Sequence, residues 1–250
     1  MTAPETLEGW FALHDLRRID RAAWHQLPPA DRDKTLAEAA DLLASLEEVS
    51  DAAAGRSVTY SVIGHKADLL MLHLRPEVSQ LHELEHRFDQ TLLATYTTRP
   101  YSYLSVIEIS RHGSPEGTAE NVEDSPYIQA RLYPEIPEHS GYICFYPMSK
   151  KREGADNWYS LGAPERAELM RAHGRTGRRY AGKVSQIVTG SMGLDDWEWG
   201  VTLFSDDPLQ FKKLVYEMRF DEVSARFADF GPFYVGRRLA PHDLVGWLGE

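Results

Sequence analysis

The sequence contains a single cysteine among its 250 residues. Cys144 lies within the apolar run Tyr142-Ile143-Cys144-Phe145-Tyr146. An intramolecular disulfide is therefore excluded, and a buried thiol within a strand is expected. Such a chain suits a reducing compartment, so we expect a cytoplasmic location.

Long apolar runs are also lacking. No segment approaches the roughly 18 consecutive apolar residues that a membrane-spanning helix requires. The first ten residues, MTAPETLEGW, lack the basic flank and apolar stretch of a secretory signal. We therefore expect a soluble protein that does not act at a membrane.

Positive charge is in deficit. The chain has 38 acidic residues against 27 Lys plus Arg, which gives a formal net charge of -11 at pH 7. Because binding of a nucleic-acid backbone needs a basic face, nucleic acid is not expected as a partner. The one dense basic run in mid-chain, Lys150-Lys151-Arg152, is typical of a solvated turn, but it could also meet an anionic ligand locally.

The two halves of the chain show the same order of predicted strands and helices. Each half has the β-α-β-β-α-β order of a ferredoxin-like domain. Residues in the second predicted helix of the first half recur at a constant offset in the second half. These pairs are Pro76 and Pro208, Glu85 and Glu217, Arg87 and Arg219, and Phe88 and Phe220. The sequence therefore predicts an α+β fold made of tandem duplicated ferredoxin-like domains, with room for a flat ligand between sheet and helix.

The expected boundaries are an N-terminal domain over 1–112, a linker over 113–140 and a C-terminal domain over 141–250. Within the linker, 113–126 is rich in Gly, Ser, Pro and acidic residues, which predicts a surface connection long enough to act as a lid. The first half opens with a short apolar segment over 9–14. The predicted strands are 58–63, 69–74, 101–110, 141–146, 184–189, 197–204 and 231–236. Predicted helices cover 29–46 and begin at Pro76, Pro164 and Pro208.

One motif points to zinc. His82-Glu83-Leu84-Glu85-His86 matches the H-E-x-x-H pattern, in which two histidines on one helical face bind zinc and the glutamate acts as a base. A third ligand is required, and the spacing beyond His86 offers no histidine. The equivalent positions of the second half, 214–218, carry no histidine pair. We interpret His82 and His86 as solvated helix residues, with a zinc hydrolase as the alternative.

A histidine in the second half is the better candidate for metal chemistry. Leu169, Met170 and His173 share the apolar face of a predicted helix. A lone histidine on such a face is more often a packed core residue. Nearby Gly174 and Gly177 leave space for a planar macrocycle, and an imidazole backed by a carboxylate suits axial iron ligation. We expect Glu217 to accept its Nδ1 proton.

Four segments together resemble the coproheme decarboxylases of the Gram-positive type, within the chlorite dismutase superfamily. The segments are CFYPMSKKR at 144–152, NWY at 157–159, MRAHG at 170–174 and the stretch 211–220 ending in MRF. The resemblance covers nearly the whole chain, and it implies a chlorite dismutase-like dimeric α+β barrel with the haem bound by domain 141–250. It further implies a homopentamer with possible transient contact with ferrochelatase.

The activity that the resemblance implies belongs to haem biosynthesis. Hydrogen peroxide drives oxidative decarboxylation of two propionates of iron coproporphyrin III (coproheme) to vinyl groups, giving haem b through a tripropionate intermediate. An oxidised Tyr146 takes a hydrogen atom from the propionate β-carbon, while Lys150 pairs with the carboxylate and assists proton movement. Coproheme is both the substrate and the redox centre.

The resemblance assigns further roles residue by residue. His173 matches the proximal iron ligand, and the implied substrate contacts are Met148, Ser224 and the guanidinium of Arg131. Gln186 replaces the distal arginine of chlorite dismutases, and a neutral amide cannot supply the charge that holds a chlorine oxyanion. Oxygen-evolving chlorite chemistry is therefore not expected.

Other interpretations stay open at this stage. Tyr146 alone reads as a core aromatic at a strand end. His112 stands where some relatives have a tyrosine, and Trp199 is placed near the pocket. The alternatives to a decarboxylase are a chlorite dismutase or peroxidase-like haem enzyme, and a haem carrier or sensor without turnover.

Overall fold

The computed structural model describes residues 5–110, 125–137 and 140–249. His112 and most of the predicted lid segment 113–126 lie outside these described residues. Among the described helices, none is both long and apolar enough to cross a membrane.

The element order confirms the duplicated β-α-β-β-α-β pattern, with short additional helices and strands. In chain order the elements are β1 Thr6–Ile19, α1 Arg21–Gln26, α2 Pro29–Glu47, β2 Arg56–Val62, β3 Leu69–Arg75, α3 Val78–Asp89, β4 Thr97–Ser110, α4 Pro126–Leu132, β5 Tyr142–Lys150, β6 Arg152–Glu153, β7 Asp156–Asn157, α5 Ala163–Arg178, β8 Ser185–Gly190, β9 Trp199–Ser205, α6 Leu209–Met218, α7 Glu222–Phe227, β10 Ala228–Phe230, β11 Tyr234–Arg238 and α8 Leu244–Leu248. The fold is thus the predicted α+β arrangement.

The first compact unit comprises Trp10–Leu104 and Tyr234–Glu250. Its antiparallel sheet has the order β11-β2-β3-β1-β4. The apolar residues of α2 recur at helical spacing and pack onto the sheet, and burying each large side chain contributes about 1.5–3 kcal/mol. The buried core includes Trp24, Leu36, Leu43, Leu69, Met71, Phe88 and Leu244.

The second compact unit comprises Ser105–Phe233 and the segment that ends at Gly9. Its strands follow the order β10-β5-β9-β8, and β8 pairs with the end of β4. Strand β5 continues to Lys150, beyond the predicted end at Tyr146, because β10 pairs with Met148 to Lys150 on one side and β9 pairs with β5 on the other. Lys150 therefore ends a strand instead of starting a solvated turn.

The boundaries of the two compact units differ from those of the predicted domains 1–112 and 141–250. The predicted domains follow the duplication along the sequence, and they stay a prediction. Strand β4 begins in the first unit and ends in the second. Strand β11 belongs to the first unit because it pairs with β2, with Gly236 opposite Val62.

Candidate functional site

Four of the predicted site residues share one face of the sheet in the second unit. Directly opposite residues of antiparallel strands lie on the same face, and so do alternate residues along one strand. Met148 of β5 lies opposite Trp199 of β9, and Gln186 of β8 lies opposite Leu203, which in turn faces Cys144 of β5. Alternation along β5 from Cys144 then adds Tyr146, Met148 and Lys150. The register therefore places Tyr146, Met148, Lys150 and Gln186 on one face, with Gln186 level with Cys144 and Lys150 six positions further along β5.

Tyr146 lies in an aromatic environment. Its ring stacks on Phe233 at a centroid distance of 4.5 Å and lies 5.8 Å from Phe230. Only 8% of Tyr146 is exposed. Burial raises the pKa of Tyr146 far above its usual range, although the charge of Arg219 opposes this shift. The phenol is therefore neutral at physiological pH, and removal of an electron from it requires that the proton leave as well.

Lys150 carries a largely enclosed amine with a shifted acidity. Its Nζ lies 4.6 Å from the ring centroid of Trp158, a cation–π contact. Burial lowers the pKa of Lys150 to about 8, and the negative charges of Asp221 and Glu198 oppose this shift. Its amine is thus protonated at neutral pH yet close enough to its pKa to give up a proton.

His173 on α5 is held by a carboxylate. Its Nδ1 lies 2.6 Å from Oδ2 of Asp221, whose side chain is 6% exposed. Because an ionised carboxylate can only accept, Nδ1 carries the proton and the Nε2 lone pair is left for a metal. The imidazole itself is 30% exposed.

The prediction that Glu217 supports His173 is wrong. Glu217 accepts a hydrogen bond from the hydroxyl of Tyr180 at 2.9 Å and forms an ion pair with Arg179. Helix α6 ends at Met218, one residue beyond Glu217, and the chain then turns before α7. Asp221, within this turn, is the residue brought against the imidazole.

The face of α5 that carries His173 is packed on one side. Leu169 and Met170 contact a buried cluster formed by Trp158, Val223 and Phe227. A Cβ added at Gly174 would have only Arg178 within 4 Å, at 3.9 Å, whereas at Gly177 it would lie 3.3 Å from Cε of Met218. There is therefore more free space beside the helix at Gly174 than at Gly177.

The other predicted substrate contacts are less closely grouped. Ser224 is buried in α7, Met148 is half-buried and Gln186 is exposed. Arg131, near the end of α4, is exposed, and its guanidinium lies 5.7 Å from the ring centroid of Tyr127. No described contact links Arg131 to Tyr146 or Lys150, and the roles of these residues stay predictions.

Several site residues were not foreseen from the sequence. Besides Asp221, the buried Glu198 accepts a hydrogen bond from the Lys150 backbone N–H at 2.7 Å. Glu108 accepts one from Nε1 of Trp199 at 3.3 Å. Burial raises the pKa of Glu108. Nothing local in the sequence marked Asp221 or Glu198.

The zinc motif has no support in the described part of the chain. His82 and His86 on α3 are both exposed, as expected of solvated helix residues. Across residues 5–110, 125–137 and 140–249, no group of three or more His, Cys, Asp or Glu side chains is placed to hold a metal ion.

Residues 32–239 match the family model described as "Chlorite dismutase". The coproheme decarboxylases of two strains of Thermus thermophilus are each 52% identical to this chain over 244 residues. Each alignment covers 98% of this chain and 96% of the relative.

Solved structures are similar over the full length. A haem-binding protein from Thermus thermophilus has a TM-score of 0.92 and 50% identity, covering 100% of both chains. A variant of the chlorite dismutase from Candidatus Nitrospira defluvii has a TM-score of 0.75 and 20% identity, covering 98% of this chain and 97% of that one. The second likeness shows the fold alone.

Proposed function

This chain belongs to the chlorite dismutase family, and we propose that within it the chain is a coproheme decarboxylase. It converts two propionates of iron coproporphyrin III to vinyl groups with hydrogen peroxide as the oxidant, giving haem b. The name of the relatives that are 52% identical supports this substrate. The observation that best supports the proposal is that Tyr146 and Lys150 lie on the same face of the sheet. A flat ligand on that face would meet both a neutral phenol and a titratable amine.

His173 fits the role of iron ligand. Because Asp221 takes the Nδ1 proton, the imidazole presents Nε2 and gains electron-donating strength from the carboxylate behind it. When bound, the iron of coproheme supplies the reduction of peroxide and the oxidising power for the reaction.

The side chains around the bound coproheme carry out the other steps of the proposed reaction. Tyr146 loses an electron and its proton, and the phenoxyl oxygen takes a hydrogen atom from the β-carbon of a propionate. The carbon radical left on the propionate then releases carbon dioxide and a second electron, which bound coproheme would accept, and the vinyl group remains. Lys150 pairs with the carboxylate and holds a proton for the site, since its pKa is close to neutrality. Phe230 and Phe233 keep water away from the oxidised ring. The proposed contacts to the other propionates are Arg131, Met148, Gln186 and Ser224.

Gln186 separates this activity from that of a chlorite dismutase. At the position where the family's chlorite enzymes are expected to carry an arginine, the neutral amide offers hydrogen bonds without charge, so an oxyanion of chlorine is held weakly. A carrier without turnover is also less favoured, because it has no need of a buried phenol beside a titratable amine.

The assembly and location follow from the same proposal. We place the enzyme in the cytoplasm as a homopentamer that makes transient contact with ferrochelatase. The single cysteine supports a reducing compartment. The family resemblance supports the homopentamer and the contact with ferrochelatase.

The test is a peroxide titration of the protein loaded with ferric coproheme, followed by mass spectrometry of the porphyrin. Two successive losses of carbon dioxide and two hydrogens are expected, with a tripropionate intermediate between them. His173→Ala should bind coproheme poorly and His82→Ala normally. Tight binding by the wild type without any mass change would instead identify a carrier or sensor.

A further inference from the structure

Arg219 brings a positive charge over the sheet face that carries Tyr146. Phe230 of β10 lies directly opposite Met148 of β5, so its side chain is on the same face as those of Met148 and Tyr146. The guanidinium carbon of Arg219 lies 3.7 Å from the centroid of the Phe230 ring, and that centroid lies 5.8 Å from the centroid of the Tyr146 ring. A single aromatic ring therefore separates the Arg219 guanidinium from Tyr146.

Both members of this stacked pair are fixed by the main chain. Arg219 directly follows the last residue of α6, and its backbone N–H donates to carbonyls of the last helical turn. Phe230 is held in register with β5, and the next residue, Gly231, donates its N–H to the carbonyl of Pro147 at 2.9 Å. The position of the guanidinium over the ring thus follows from how α6 and β10 are anchored in the second unit.

The segment that begins at Arg219 also reaches the proposed iron ligand. Two residues further along the chain, Asp221 accepts the Nδ1 proton of His173 at 2.6 Å. Residues 219–221 therefore contact the imidazole at one end and the aromatic group beside Tyr146 at the other. A porphyrin that binds His173 through its iron and reaches Tyr146 with a propionate would lie next to both ends of this segment.

The charge of Arg219 has no carboxylate partner among the residues that the structure describes. The side chain is exposed, and no Asp or Glu oxygen of the described residues lies within 4.0 Å of its nitrogens. Arg226 of the same unit offers a comparison, because its guanidinium also stacks on a phenylalanine, Phe227, at 4.7 Å. The nitrogens of Arg226 bind Asp156 and Glu222.

The comparison indicates what Arg219 can bind. A guanidinium that stacks on a ring keeps the N–H groups at its edge available for hydrogen bonds, and their fork matches the two oxygens of a carboxylate. In Arg226 two carboxylates of the chain use these groups, whereas in Arg219 they are available to a ligand. The formal net charge of -11 would repel a ligand with four carboxylates, so a local cation is needed to hold it.

Arg219 approaches Tyr146 from a different side than Lys150 does. Lys150 lies on β5 itself, four residues beyond Tyr146, whereas Arg219 covers β10, the strand at the end of the sheet. A carboxylate has two oxygens and can accept from both cations at once. The charge of Arg219 also opposes the rise in the pKa of Tyr146 that burial causes, so the two side chains interact electrostatically.

We propose that Arg219 binds the carboxylate of the propionate presented to Tyr146, and that this ion pair distinguishes coproheme from haem b. The inference rests on the proposed function. A propionate that reacts at Tyr146 loses its carboxylate as carbon dioxide, and the vinyl group that remains cannot accept a hydrogen bond from a guanidinium. The ion pair therefore exists with the substrate and is lost in the product. Arg219 makes no covalent bond and transfers no proton or electron.

The first readout is binding to the full-length apoprotein, titrated separately with ferric coproheme and with ferric haem b. Arg219→Gln should raise the dissociation constant of coproheme by about tenfold, as expected for one charge-assisted hydrogen bond, and leave that of haem b unchanged. Arg219→Lys keeps the charge and should restore most of the affinity for coproheme. Arg226→Gln is the matched control for a stacked arginine, and the ratio of its two dissociation constants should equal that of the wild type.

The second readout is the reactivity of Arg219 itself. Phenylglyoxal modifies exposed arginines, and peptide mass spectrometry gives the rate at each position. Bound coproheme should slow the modification of Arg219, whereas bound haem b should not. Arg175 is also exposed but lies two residues after His173, on another face of α5; its rate should be the same with either porphyrin and without one.

The outcomes separate this inference from the proposed function. If Arg219→Gln weakens the binding of both porphyrins equally, the guanidinium only covers the Phe230 ring and the proposal is wrong. An Arg219 that coproheme does not protect from phenylglyoxal also overturns it. Peroxide treatment of the wild type tests the decarboxylation separately, so either result together with normal product counts against Arg219 alone. A wild type that binds neither porphyrin overturns both.

Discussion

Nδ1 of His173 and Oδ2 of Asp221 lie 2.6 Å apart, where the turn that joins two helices of the second unit meets α5. This bond fixes the tautomer of the imidazole and the direction of its free nitrogen. Loss of such an outer carboxylate typically weakens metal binding by roughly 10- to 100-fold.

Substitution of Asp221 should therefore weaken binding of coproheme. We expect Asp221→Asn to raise the dissociation constant by about 10- to 100-fold in a spectrophotometric titration of the apoprotein. Glu217→Gln is the matched control and should bind as the wild type does, since Glu217 serves Tyr180 and Arg179. The reverse ranking of these two variants would contradict the assignment.

Gly190 lies close to the carboxylate of Glu108. A Cβ at this position would lie 2.5 Å from Cδ and Oε2 of Glu108. Gly190→Ala should turn the Glu108 carboxylate away and break its 3.3 Å hydrogen bond to Trp199. Because this carboxylate is the end of a flexible side chain, the free energy of unfolding should fall only by about 0.5–1.5 kcal/mol, the contribution of one hydrogen bond.

A double-mutant cycle in urea denaturation checks this clash. Glu108→Ala removes the obstructing carboxylate, so the cost of adding Gly190→Ala in that background should be largely lost. An equal cost in both backgrounds would show that the strain arises elsewhere.

Two buried histidines of the first unit should make the protein sensitive to acid. Burial lowers the pKa of His14 and of His73 to about 3, whereas an unfolded histidine titrates near 6.5. Between these values the unfolded state binds more protons than the folded state does. The free energy of unfolding should thus fall as the pH drops below about 6.5, by about 1.4 kcal/mol per pH unit for each histidine.

Urea midpoints between pH 7 and pH 4.5 test this expectation. The Nδ1 of His73 lies 2.8 Å from Oγ of Ser57, and His73→Gln should flatten the pH dependence while keeping a polar partner for that hydroxyl. His82→Gln, on exposed α3, should leave the dependence as in the wild type. Identical slopes in all three proteins would argue against neutral buried histidines.

The sequence could predict what depends on local pattern and repetition. The repeated Glu85 and Glu217 revealed the duplicated helices, and in the structure both bind arginines, Arg99 and Arg179. Glu217 was the wrong partner for His173 because Arg179 and Tyr180 occupy it, whereas the carboxylate at the imidazole comes from the following turn.

Contacts that depend on strand pairing could not be predicted from the sequence. The sequence predicted that this strand ends at Tyr146, yet β5 continues because Ala228 pairs with Lys150 and Trp199 pairs with Met148. The same pairing places Glu198 beside Lys150 although they are 48 residues apart. No local periodicity encodes such a juxtaposition.

The central claim is that Tyr146 oxidises the propionates. The most direct test compares porphyrin masses after peroxide treatment of coproheme-loaded wild type, Tyr146→Phe and Tyr142→Phe, which alters a second tyrosine of the same strand. Two decarboxylations are expected in the wild type and in Tyr142→Phe, and none in Tyr146→Phe despite bound coproheme. Normal product from Tyr146→Phe would contradict the account.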